Sequence, residues 1–228
     1  MDAGMTFSDR REAGRRLSAA LEGFAGRDDV IVLGLPRGGV VVAFEVASAL
    51  KAPLDVYLVR KLGVPGHEEL ALGAIASGGV TILNQDVLQA VQVTQSDIEM
   101  VAEREQAVLE RRERLYRGHS EPLELSGKTV IVIDDGLATG ATMRTAIRSI
   151  RDHTPTRIIA AVPVAPPETC TRLAGEADEA VCLLTPEPFY AIGAWYLDFS
   201  QTSDDEVVAL LEDAASFRPG SAPKSDSA

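Results

Sequence analysis

Thr129-Val130-Ile131-Val132-Ile133-Asp134-Asp135-Gly136-Leu137-Ala138-Thr139-Gly140-Ala141-Thr142-Met143 decides how the chain is read. Its opening residues are apolar and mostly β-branched, too few for a helix core and suited to a buried parallel strand. Two carboxylates follow where the strand ends. A short loop of Gly, Ala and Thr comes next, then a helical pattern at Met143, Ala146, Ile147 and Ile150. In such a turn backbone N–H groups converge on an anion, helped by the N-terminus of the helix. Gly136 and Gly140 let the main chain approach closely, and Thr139 and Thr142 bring hydroxyl donors. Asp134 and Asp135 repel a phosphate and instead suit neutral hydroxyls, as acidic residues beside a ribose do. The stretch reads as a ribose 5-phosphate cradle, with phosphate on the loop and sugar hydroxyls on the acid pair.

A second strand-to-loop-to-helix unit lies upstream. Val30 to Leu35 is a buried strand, Pro36-Arg37-Gly38-Gly39-Val40 is a turn, and Val41 to Leu50 is a helix. Arg37 carries a planar fork that binds two oxygens of a diphosphate at once. Pro53 to Val59 is the next strand, with Arg60 and Lys61 at its end and a loop from Leu62 to Glu69 after it. Strands at 157–164 and 179–184 bring the parallel set to about five, interleaved with helices. This alternation predicts a doubly wound α/β sheet with ligands at the C-terminal ends of its strands, where all three loops sit.

The rest of the chain is read outward from that sheet. Leu17, Ala20, Leu21 and Phe24 share one face of an N-terminal helix that starts at Arg10. Leu70–Ala76 and Val80–Leu83 flank Ser77-Gly78-Gly79 as a hairpin. A long helix begins at Thr94, boxed by Asp97, and stops at Gly118. Its arginines at 104, 111, 112, 114 and 117 read as a solvated face. Phe189, Tyr190, Trp195, Tyr196 and Phe199 crowd into eleven positions. The tail from Phe217 is rich in Ser, Pro and Ala and reads as disordered. The expected organisation is one domain over 1–216, with a helical insertion near 84–120 and a small C-terminal hood near 185–200.

Composition sets the outer bounds. Hydrophobic residues make up 46% and charged residues 25%, ordinary for a soluble globular chain. A net charge of −12 argues against nonspecific binding to nucleic acid or acidic membranes. Cys170 and Cys182 are not at metal-ligand spacing. They are compatible with a disulfide, but the expectation is a reducing cytoplasm. No run of eighteen apolar residues and no signal-peptide pattern is found.

The stretch at 129–143 resembles the phosphoribosyl-diphosphate signature of the type I phosphoribosyltransferases. The likeness covers about thirteen contiguous residues and matches neither a Walker A loop nor a dinucleotide fingerprint. It implies transfer of phosphoribosyl from 5-phosphoribosyl 1-diphosphate to a nucleobase-like nitrogen acceptor, with Mg²⁺ held mainly through the substrate and diphosphate released. Carried over by position, Asp134 and Asp135 hold the ribose hydroxyls, and Gly136 with Ala138 through Thr142 holds the 5-phosphate. Arg37, Gly38 and Gly39, with Arg60 and Lys61, hold diphosphate. The family's diphosphate loop often carries a non-proline cis peptide, which by position is Pro36–Arg37. The loop after Lys61 resembles the family's mobile flap, making His67, Glu68 and Glu69 candidates for proton transfer or leaving-group contact. The aromatic stretch is the hood candidate: Trp195, Tyr196 or Phe199 for stacking on a base, Asp198 for accepting from its edge. An aromatic plug at the end of the sheet reads equally well.

One departure is informative. The 6-oxopurine enzymes of the family place an acid three residues after the second carboxylate, and here that position is Ala138. The resemblance is closest to the stand-alone bacterial phosphoribosyltransferases whose acceptor is open, and homodimers are common in the family. Two alternatives remain at this point. One is a phosphoribosyl-diphosphate-sensing regulator, and the other is an enzyme that cleaves nucleotides with phosphate or water.

Overall fold

The computed structural model describes residues 6–91, 93–118 and 120–217, with the side chains at 68, 69, 85 and 86 outside that description. The expected disordered tail lies outside it as well, except for Phe217, whose ring packs on Phe44 with centroids 5.5 Å apart.

Five strands form the parallel sheet: β1 (Val30–Gly34), β2 (Leu54–Val56), β6 (Thr129–Ile133), β7 (Arg157–Val164) and β8 (Glu179–Leu184), in the spatial order β2-β1-β6-β7-β8. The register along β6 runs from Val30 opposite Thr129 to Gly34 opposite Ile133 on one side, and from Arg157 to Ala161 on the other. Side chains alternate strictly across the sheet. Val130 and Val132 join Ile31, Leu33, Ile158 and Ala160 in the core beneath α5 (Ala141–Asp152). Ile131 and Ile133 join Val30, Val32, Ile159 and Ala161 in the opposite core, beneath α1 (Arg10–Ala20) and α2 (Gly38–Leu50). Burial on both faces is why these strands read as unbroken apolar runs and not as alternating ones. The expected doubly wound α/β architecture is therefore the one observed.

The region after β2 differs from the sequence reading. The strand expected over 53–59 stops at Val56, and Val59 opens a second, antiparallel sheet of β3 (Val59–Val64), β4 (His67–Ala76) and β5 (Thr81–Leu83). Residues expected as a loop from Leu62 to Glu69 are thus two paired strands with a turn at Pro65-Gly66. Gly63 caused the misreading: it sits where the β3–β4 register shifts, at a bulge and not in a loop. Gly66, at φ +77°, is the true turn glycine.

Between β5 and β6 come α3 (Gln85–Ala90) and α4 (Gln95–Arg117). Thr94 caps α4 with the full capping box to Asp97, and Gly118 closes it. One of its arginines does not belong to a solvated face. Arg117 is 9% exposed at its side chain, lies 2.9 Å from Asp55 of β2 and donates to the Val56 carbonyl at 2.8 Å. The helical repeat marks Arg117 as outward, but the neighbouring sheet edge supplies a buried carboxylate for it. Arg104 and Arg114 pair with Glu105 and Glu110. The chain then runs through α6 (Pro167–Ala174) and the hood to α7 (Asp204–Ala214). Cys170 of α6 and Cys182 of β8 are joined as a disulfide, the pairing that the sequence left open. Among the described residues no helix is long and apolar enough to cross a membrane.

Candidate active site

Parallel strands end on the same edge, so the turns after β1 and β6 meet there. Gly38 and Gly39 open α2 directly against the acid pair. A Cβ added at Gly39 would stand 2.8 Å from Asp134 Cα, and one at Gly38 would stand 1.9 Å from Asp135 Oδ2. Only a residue without a side chain allows that contact. The Pro36–Arg37 peptide is cis, as the resemblance implied. Arg37 sits at the N-cap of α2, half-buried, with no ion pair among the described residues.

The loop from Gly136 to Thr142 has two sides. Its inner side is pinned: Leu137 is buried and its N–H donates to the Val164 carbonyl at 2.9 Å, while Thr169 donates to the Ala138 carbonyl at 2.8 Å. Its outer side is open, with Ala138, Thr139, Ala141 and Thr142 exposed. Gly140, at φ +73°, caps α5 without a side chain of its own, and the Ala141 N–H donates to Thr139 Oγ1 at 3.4 Å. With no acidic residue in that turn, the positive end of the helix is uncompensated.

Asp134 and Asp135 sit between these two loops. Asp134 Oδ1 accepts the Asp135 N–H at 2.8 Å. Burial raises the pKa of Asp134 well above its ordinary value, and the neighbouring charge of Asp135 adds to the rise. Burial also raises Asp135, opposed by a hydrogen bond from Arg10. Arg10, the first residue of α1, places Nε 2.7 Å from Asp135 Oδ2, and both side chains are nearly enclosed at 11% and 13% exposure. Sequence reasoning missed Arg10. Its partner is 125 residues away, and its helix reads only as an amphipathic packing element.

The hood takes the plug form. Tyr196 is buried, tilts against Phe7 at 5.3 Å and Phe199 at 5.0 Å, and donates its hydroxyl to the Asp135 carbonyl. That burial, with the charge of Asp135, raises the Tyr196 hydroxyl far above its usual range. Phe199 has the Arg10 guanidinium 3.9 Å from its centroid. Tyr196 is thus packed between two aromatic rings, and Phe199 between a ring and a cation, so neither offers a stacking face to a base as placed here. Asp198 is exposed and accepts from the Ser200 N–H at 2.9 Å. Trp195 is half-buried, and its indole N–H has no partner among the described residues.

The strand geometry of β3 separates the expected diphosphate pair. Adjacent residues on a strand face opposite ways. Arg60 faces α4 and is held by Glu105, with contacts of 2.6 and 2.7 Å, so it is not available to a diphosphate. Lys61 lies on the other face, exposed, opposite Ala74 of β4. His67 is exposed beside the Pro65-Gly66 turn, and the side chains of Glu68 and Glu69 lie outside the described residues. Among the described residues no three His, Cys, Asp or Glu side chains converge as a metal cluster.

The comparisons with known proteins bear on the family and the fold. Residues 9–183 match the family described as "Phosphoribosyl transferase domain". The chain is 48% identical over 208 residues to the Mycobacterium tuberculosis protein named "Putative phosphoribosyl transferase Rv0571c". That alignment takes in 91% of this chain and 47% of the relative, so the chain spans about half the length of the curated relatives it matches. A weaker likeness, 26% over 99 residues, relates 41% of it to 55% of the "Bifunctional protein PyrR" of Brevibacillus brevis. The crystal structure of TT1426 from Thermus thermophilus superposes with a TM-score of 0.81 at 45% identity, covering 92% of this chain and 99% of that one. With a family match across most of its length, the chain belongs to the phosphoribosyl transferase domain family.

Proposed function

We propose that the protein binds 5-phosphoribosyl 1-diphosphate with Mg²⁺ and transfers the phosphoribosyl group to a nitrogen acceptor. The observation that carries this reading is the contact between the two turns: Gly38 and Gly39 lie against the backbone and carboxylates of Asp134 and Asp135. A ligand that spans an anion-binding turn, an acid pair and a second glycine turn needs a phosphate, hydroxyls and a second anionic group in that order. The loop at 136–142 takes the 5-phosphate, Asp134 and Asp135 take the hydroxyls, and Arg37 with Gly38 and Gly39 takes the diphosphate. Lys61, on the face of β3 opposite Arg60, assists with the diphosphate, and Arg60 leaves the set.

In the reaction a nitrogen lone pair forms a bond to C1 of the ribose. The C1–O bond to diphosphate breaks, and its electron pair leaves with the diphosphate. A proton is then lost from the attacking nitrogen. The acid pair and the loop hold the sugar while Arg37 and Lys61 offset charge on the leaving group. The donors here are hard carboxylate oxygens, which fit Mg²⁺. Asp134 and Asp135, together with the substrate, would hold the ion, which would supply charge neutralisation to the leaving diphosphate. The net charge of −12, with Arg104, Arg114 and Arg117 of α4 each paired to a carboxylate, supports a small-molecule substrate over a nucleic-acid ligand.

The test is diphosphate release from 5-phosphoribosyl 1-diphosphate and Mg²⁺ with a panel of purine, pyrimidine and pyridine bases. Release that depends on one base, and stops on chelation of Mg²⁺, supports the reading. Tight binding with no release for any base shifts it to the sensing role.

A further inference from the structure

We propose that Arg10 is a positioning residue of the sugar site, clamping one oxygen of Asp135 so that the opposite oxygen faces the ribose. The proposal rests on the reading of Asp134 and Asp135 as the hydroxyl-binding pair. Arg10 meets three different parts of the fold at once. Its Nε lies 2.7 Å from Asp135 Oδ2, its Nη1 donates to the Ser200 carbonyl at 2.7 Å, and its guanidinium lies 3.9 Å from the Phe199 centroid. The acid pair, the hood and the N-terminal helix are thereby joined through one side chain.

The location makes no sense for the helix alone. Arg10 is the first residue of α1, where the helix end is positive and a cation is disfavoured. The N-cap is already supplied by Asp9, which accepts from the Glu12 N–H at 2.7 Å. A guanidinium held there and nearly enclosed is placed for its partner and not for its own helix. Gly38 points the same way. A Cβ at that position would stand 1.9 Å from Asp135 Oδ2 and 2.6 Å from Arg10 Nε, so the diphosphate turn is shaped around the ion pair.

The pattern of hydrogen bonds says what the clamp does. Arg10 takes Asp135 Oδ2, and the Asp135 N–H takes Asp134 Oδ1. The Asp134 and Asp135 carboxyls also hydrogen-bond to each other, so a clamp on Asp135 steadies both. Without Arg10 the charge of Asp135 would lose its cationic partner and stand unopposed beside Asp134.

The test compares ribose 5-phosphate with 2-deoxyribose 5-phosphate by calorimetry on the whole chain. The two share the phosphate and differ in one hydroxyl, so their affinity ratio reads hydroxyl capture alone. Arg10→Met should lower the ratio by about fivefold or more, while binding of the deoxy sugar stays within about twofold, on the scale of one charge-assisted hydrogen bond. Arg10→Lys, which keeps the charge and loses the fork, should recover part of the ratio. Fluorescence of Trp195, the single tryptophan, checks that the hood still folds. A folded Arg10→Met variant with the wild-type ratio overturns the role of Arg10. Wild-type protein that does not discriminate between the two sugars overturns the sugar assignment itself, and the proposal with it.

Discussion

At the scale of the residue, the acid pair sets binding and stability against each other. Both carboxyls are raised above their ordinary 3.8, so the folded chain holds their protons more tightly than the unfolded one. Their contribution to stability is therefore fullest below about pH 3.8 and is lost as pH climbs through the raised folded values. Asp134→Asn removes the part of that loss due to Asp134. Thermal melts between about pH 4 and pH 7 should show a flatter decline than wild type and a higher Tm at neutral pH, about 2–4 °C per kcal/mol relieved. The same exchange made at both positions should weaken 5-phosphoribosyl 1-diphosphate binding by more than about tenfold, since each charge-assisted bond is worth ~1.5–3 kcal/mol. Wild-type affinity in that double variant removes the pair from the sugar site.

Arg60 and Lys61 give a second contrast between adjacent residues. Arg60 is held by Glu105 and Lys61 faces away from it. Lys61→Ala should lower the rate of diphosphate release by about tenfold or more if one charge contact to the leaving group is lost. Arg60→Gln should leave that rate near wild type and show its effect as a lower midpoint in urea. Equal rates for Lys61→Ala and wild type would remove Lys61 from the reaction.

At the scale of the element, α4 is anchored to the sheet edge by a buried charge pair. Asp55 and Arg117 are nearly enclosed, and Arg117 also contacts Glu113 at 3.1 Å. Removing one partner strands the other charge, which costs about 3–5 kcal/mol. Arg117→Ala should lower the urea midpoint accordingly, and Arg117→Ala with Asp55→Ala should recover part of the loss. The contrast with Arg111 and Arg112 of the same helix is useful, because both are exposed and alanine there should change stability by under about 0.5 kcal/mol.

At the scale of the whole molecule, the sheet carries two cores on its faces, and the hood closes the end where the ligand turns meet. The Cys170–Cys182 bridge ties α6 to β8 beside that end, across a sequence separation of 12. Denatured, unreduced protein titrated with a thiol reagent should show no free thiol; two free thiols would mean that the bridge is absent in solution.

Much of this was written locally. The run from Thr129 to Ile133 specifies a strand buried on both faces because every residue in it is apolar or β-branched, whichever face it turns to. The turn chemistry of Gly38, Gly39, Gly136 and Gly140, the box at Thr94 and Asp97 and the stop at Gly118 are encoded within a few residues, so the sequence by itself determined the parallel sheet, α4 and the edge that carries the ligand turns, though not the second sheet after β2. Tertiary structure decided which side chains reach that edge. Arg10 and Asp135 are 125 residues apart, and no period or spacing links them. Arg60 and Lys61 are chemically alike on the page, and only the pleat of β3 and the position of Glu105 divide them. The aromatic cluster is as apolar in a plug as in a base-binding hood. The neighbours Phe7, Phe199 and Arg10 settle its packing, because ring faces already in contact are not open to a ligand.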